Sequence, residues 1–166
     1  MKTGVRTSIV AALLIAGAAV LLLTDLGTGA ARPDRHGVLE IVMEGNEYSP
    51  SRMIIPAGEP ITLRFVNNND AARNLAAGRV PIEEDGRPVA FEEDLFAGIS
   101  ARAEPAGVWI GPSERVPVVT LNIPARSTAT VELTFPEERA GEWELACFRG
   151  RGCEPRTAAV GRITIR

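Results

Sequence analysis

The chain has 166 residues, 45% of them apolar and 23% charged, and carries a net charge of −3. That is room for one ordinary domain with enough apolar side chains to build a core, which excludes disorder throughout. Lys2 is the sole lysine among 18 basic residues and no basic stripe forms, so nucleic-acid binding has no support.

In chain order, Lys2 and Arg6 precede an unbroken apolar run over 9–23. A basic flank before such a run reads as a signal peptide or N-terminal membrane anchor, over 1–31. Gly29, Ala30 and Ala31 are small enough for a signal peptidase to cut beside them. No cysteine lies near the run, which excludes a lipoprotein. A buried core helix is the structural alternative, and the basic flank and terminal position argue against it. The positive flank keeps the N-terminus inside and puts residues 32–166 outside the cytoplasm: periplasmic, secreted or membrane-anchored.

Residues 32–37 read as a polar linker holding His36, the only histidine. The domain then runs over 38–166. Strands are predicted over 38–43, 52–55 and 60–66, separated by turns over 44–51 and 67–70. In the third of these, Ile61, Leu63 and Phe65 alternate with Thr62 and Arg64. The stretch 71–112 reads as irregular, with a short helix or turn over 90–99. It carries the acidic clusters 83–85 and 92–94, which read as a solvated face or as a docking patch for a basic partner. Strands resume over 115–123, with Pro117 at an edge or bulge, and over 128–135, with Val131, Leu133 and Phe135 inward. Trp143, Leu145 and Cys147 then share one face of a strand, and Ile163 and Ile165 share a face of the last one. Short strands, frequent turns and little helical periodicity predict an all-β sandwich. Trp143 belongs in the core; Trp109 either caps the sandwich or lines a groove.

The end of the chain, Gly141-Glu-Trp-Glu-Leu-Ala-Cys147 followed by a Gly-rich loop and Gly161-Arg-Ile-Thr-Ile, resembles the ligand loop of cupredoxins, the blue-copper sandwich family. The opening order Tyr48-Ser-Pro-Ser, strand, Pro56-Ala-Gly-Glu-Pro, strand, Asn67-Asn-Asn-Asp is similar to exported members. The resemblance implies a Greek-key order, and an insertion after the Asn-rich turn that lies outside the sandwich. It also implies four copper-ligand positions. The upstream histidine position falls near Asn74, the cysteine position is Cys147, the downstream histidine position falls near Cys153 or Glu154, and the methionine position is Ala159. Only the cysteine type is retained. A blue site needs two imidazoles and a thiolate, and one histidine cannot supply them.

Cys147 and Cys153 leave several chemistries open. Outside the cytoplasm a disulfide is the first. Two free thiols binding Cu(I) is another, with Met43 and Met53 as conceivable helpers although core packing suits them better. Thiol–disulfide exchange is a third, weakened by a spacing that is not Cys-x-x-Cys, although Arg149 and Arg151 favour a thiolate. No nucleophilic triad or phosphate-cradling loop occurs, so the chain does not read as an enzyme. The expectation is an exported cupredoxin-like binding module without type 1 copper or other cofactor, acting on an unknown protein partner in the periplasm or at the cell surface. The alternative is a periplasmic copper-binding or electron-transfer protein with unusual ligation.

Overall fold

A computed structural model describes residues 29–84, 87–112, 118–148 and 161–166. The expected signal or anchor run, Asp85, Pro117, Arg149, Arg151, Cys153, Glu154 and Ala159 lie outside the described residues. The chain is all-β as expected, and among the described residues there is no α-helix. The strands are β1 (Val38–Glu44), β2 (Glu47–Ser49), β3 (Arg52–Ile55), β4 (Pro60–Asn67), β5 (Arg73–Glu84), β6 (Arg87–Asp94), β7 (Ala101–Glu104), β8 (Trp109–Ile110), β9 (Thr120–Ile123), β10 (Ser127–Thr134), β11 (Gly141–Ala146) and β12 (Gly161–Ile165).

They form two sheets. One runs β2-β1-β4-β10-β7; the other runs β3-β12-β11-β5-β9-β8, with β6 paired to β5. The pairs β1–β4 and β3–β12 are parallel. The alternation of each strand supplies the core. Ile41, Met43, Leu63, Phe65 and Val131 from the first sheet meet Met53, Ile55, Leu75, Leu121, Trp143, Leu145 and Ile163 from the second. Met43 and Met53 are therefore core residues, and so is Trp143. Trp109 is partly buried against the same core and sets its ring edge-on to Phe96, with centroids 5.3 Å apart.

Two stretches differ from the sequence reading. The turn over 44–51 contains β2, which buries Tyr48 against the core. The irregular middle is mostly strand: β5 and β6 form a long hairpin, and β5 is an inner strand of its sheet rather than an external insertion. Its alternation is hidden because both faces are covered. Leu75 and Ala77 face the main core, while Ala76 joins a second cluster with Ala90, Phe91, Val118, Ala146 and Phe148. A strand buried on both sides does not show the period-two pattern. Over 90–99 the chain finishes β6 and then makes a turn.

The segment read as a linker is tied to the sandwich. Ala31 bridges to Met53 and exchanges backbone hydrogen bonds with the β3 strand, Ala31 N to Arg52 O at 2.9 Å and Ile54 N to Ala31 O at 2.8 Å. The Asp34 carboxylate accepts from the His36 and Val38 N–H groups, at 2.8 and 3.0 Å. These bonds hold its carboxyl below the ordinary aspartate value.

Candidate functional site

The candidate site is the end of the sandwich where β11 runs out at Cys147. Four pieces meet there: the β1–β2 turn at Gly45, the loop from Asn67 to Ala72, the turn after β9, and Cys147. The organiser is Asn67, the buried polar side chain at the end of β4. Its Nδ2 donates toward the carbonyls of Ala71, Ile123 and Pro124, at 3.0, 3.1 and 2.9 Å. Its Oδ1 accepts from Asn69 N at 3.0 Å and from Asn69 Nδ2 at 2.9 Å. Asn69 Nδ2 also donates to Met43 O at 3.1 Å. The Asn-rich stretch thus uses side-chain amides to tie carbonyls of its own loop, of the end of β9 and the turn after it, and of β1.

Cys147 is 7% exposed and belongs to the main core. The β11–β5 register runs Glu144 to Gly78, Leu145 to Ala77 and Ala146 to Ala76. One more step sets Cys147 opposite Leu75, and alternation gives the two side chains the same inner face. Phe148 turns to the opposite face, where its ring meets Phe91 edge-on at 5.1 Å. The chain is therefore held on both faces of the sheet as it enters the loop. Cys147 is not a free thiol: among the described residues no free cysteine occurs.

Asn74 lies in β5 opposite Asn122 of β9, and its carbonyl accepts from the Tyr48 hydroxyl at 3.3 Å. Alternation from Leu75 puts the Asn74 side chain on the face away from Cys147. The inward residue is its neighbour, Arg73, which sequence reasoning passed over. Arg73 Nη2 donates to Gly45 O and, at 3.2 Å, to Asn69 Oδ1. Its Nε is sealed from solvent and has no partner among the described residues. Tyr48 lies close enough to feel this cation. Burial pushes the phenol up to about 12, and the nearby Arg73 charge opposes the shift. The signal that finds Arg73 is available in the sequence, by counting back in twos from Leu75 and Ala77.

His36 sits at the other end of β1, exposed, with Nε2 accepting from Arg35 Nε at 3.0 Å. The length of β1, ~20 Å at about 3.3 Å per residue, separates it from the Cys147 end. Among the described residues no cluster of three or more His, Cys, Asp or Glu is placed to hold a metal ion. One thiol position that is not free, one remote imidazole and an inward guanidinium do not fit a type 1 copper centre, whose donors are two imidazoles and a thiolate.

The acidic clusters divide. Glu83, Glu84, Glu92 and Glu93 are exposed on the β5–β6 hairpin. Asp94 instead turns inward as a tie: Oδ1 accepts from Phe96 N at 2.9 Å and Oδ2 from Val119 N at 2.6 Å. Burial raises its pKa, and those two N–H bonds oppose the rise.

No family model matches the chain, and no curated protein does. Among solved structures, it is similar to auracyanin from the photosynthetic bacterium Roseiflexus castenholzii, at 15% identity and TM-score 0.45, over 83% of this chain and 99% of that one. It is similar to auracyanin A, a "blue" copper protein of Chloroflexus aurantiacus, at 16% identity and TM-score 0.44, over 78% of this chain and 98% of that one. A multicopper oxidase matches at 15% identity and TM-score 0.44, over 82% of this chain and 46% of that one. The likeness is to cupredoxins and is one of fold; nothing about ligands is taken from it.

Proposed function

We propose that this chain is an exported cupredoxin-like binding module that has lost its type 1 copper site. The observation that carries the reading is Arg73, set by alternation on the same inner face of its sheet as Cys147. A guanidinium stays charged at every relevant pH and has no lone pair to offer a metal. It repels a metal cation from the position where one would be bound. Cys147 adds no thiolate if it is bonded to Cys153, and its not being free supports that pairing. On this reading the module is not an enzyme, and its partner is a protein outside the cytoplasm.

The test is a copper titration of the purified protein with a thiol count beforehand. Labelling under denaturing conditions without reductant is expected to find no free thiol. Cu(II) is expected to produce no intense visible thiolate band and no rise in melting temperature, since a ligand of the native state would raise it by mass action. A tight one-to-one complex with a blue colour overturns the reading. Export follows from Lys2, Arg6 and the apolar run over 9–23. A phosphatase reporter fused after Arg166 is expected to be active, and an inactive, cytoplasmic fusion refutes it.

A further inference from the structure

The orphaned Nε of Arg73 calls for a physical account. A buried donor without an acceptor costs about 1–3 kcal/mol, more when the group is charged, and native structures keep few of them. The contacts Arg73 does make are to neutral oxygens, Gly45 O and Asn69 Oδ1. The ion pairs among the described residues use Arg64, Arg79, Arg102, Arg126 and Arg162 instead. Glu44 and Glu47 flank the Gly45 turn, but both are exposed and neither pairs with Arg73. In sequence, Cys147 is followed by Arg149 and Arg151 before the first carboxylate, Glu154. Among the described residues, this cation is left with one unserved donor and no carboxylate partner.

We propose that Arg73 makes this end of the sandwich an anion site that accepts a carboxylate oxygen at Nε. The chemistry is the reverse of a copper site: a resident cation receives an anionic group. Water would satisfy the hydrogen bond but leave the charge unbalanced, whereas a carboxylate does both, through a charge-assisted bond. The Gly45 carbonyl and Asn69 Oδ1 hold the guanidinium through Nη2, so the donor is fixed before the ligand arrives. Because Nε is sealed from solvent, the acceptor has to be small or to come on a flexible segment. Two sources have that chemistry, a free carboxylate and an Asp or Glu side chain of a partner. The inference rests on the reading that no copper occupies this end.

The experiment follows the Arg73 Nε–H resonance by nitrogen-15 NMR on the intact protein. Formate, acetate and a flexible acidic peptide are titrated at constant ionic strength, with chloride as the control. A saturable shift with the carboxylates and not with chloride is expected, together with a rise in melting temperature. Arg73→Met is expected to abolish the thermal response, and Arg73→Lys to weaken it, because lysine keeps the charge but lacks Nε. Arg73→Gln serves as a second neutral variant should the methionine protein fold poorly. A response to the peptide alone identifies a partner's side chain as the source, and a response to formate and acetate alone identifies a free carboxylate. No saturable shift, meaning that water serves Nε, overturns the proposal, as does an equal thermal response in the neutral variants. A parallel copper titration separates the two ideas: copper binding defeats the binding-module reading, while silence from both copper and carboxylates defeats the anion site alone.

Discussion

Replacing Asn67 tests how this end of the sandwich is held. The side chain is 1% exposed, so every bond it makes is made out of contact with water. Its Nδ2 has two hydrogens for three carbonyls, and its Oδ1 accepts two more bonds from Asn69. Asn67→Ala removes four hydrogens' worth of bonding, all of it anchored on a buried side chain. At a net of about 1 kcal/mol per bond, the loss is about 4 kcal/mol. That is a large share of the roughly 5–15 kcal/mol that holds a domain together. It corresponds to a fall in melting temperature of roughly 10 °C or more for a domain of this size. Asn67→Asp is the sharper variant, because it keeps the shape and removes only the donor. An ionised carboxylate would face three carbonyl oxygens, so Asp is expected to cost more than Ala at neutral pH. It should recover part of the loss in acid, where the protonated form regains one O–H donor. Urea denaturation of both variants across pH measures this. An Asp variant as stable as the natural protein at neutral pH would refute the assignment of Nδ2 as the group facing those carbonyls.

Two further predictions rest on other parts of the fold. A Cβ on Gly78 would run into the Phe91 ring at Cγ, so Gly78→Ala is expected to cost about 1–3 kcal/mol by overpacking; the double variant with Phe91→Ala should lose less than the sum of the two, and strict additivity would show that the ring does not rest on this glycine. The Arg126 guanidinium holds the Asp70 carboxyl below its ordinary value of 3.8, so the stability from that pair is present above 3.8 and drains away as pH falls through the lowered value. Asp70→Asn is therefore expected to flatten the acid side of the stability profile, and an unchanged profile counts against a contribution from the pair.

What the sequence shows depends on how many faces of a strand meet water. β4 and β10 have one solvated face, and the alternation of Ile61, Leu63 and Phe65 or of Val131 and Leu133 is plain. β5 has Leu75 and Ala77 under one layer and Ala76 under another, followed by a charged run that reads as loop, so its pattern disappears. The short β2 hides behind turn-forming neighbours, and only the burial of Tyr48 reveals it. The site suffers from the same effect. Cys147 stands out because it ends a clean alternating strand. Asn74 stands out in the sequence by its place after the Asn-rich turn, yet a shift of one residue in a strand exchanges the two faces. The residue sharing the inner face with Cys147 is Arg73.

The same residues explain how the two sheets are tied together at this end. Asn67 at the end of β4 reaches the carbonyl of Ile123 in β9, across the sandwich. The Tyr48 hydroxyl in β2 reaches the carbonyl of Asn74 in β5. Arg73 in β5 reaches the Gly45 carbonyl in the β1–β2 turn. Each bond joins one sheet to the other at the same pole, which is the mechanical job a metal does when its ligands come from separate strands. Phe148 adds an apolar anchor on the far side of the second sheet, where Phe91 receives it. The protein's own side chains supply these ties, unlike sites whose binding free energy is folding free energy.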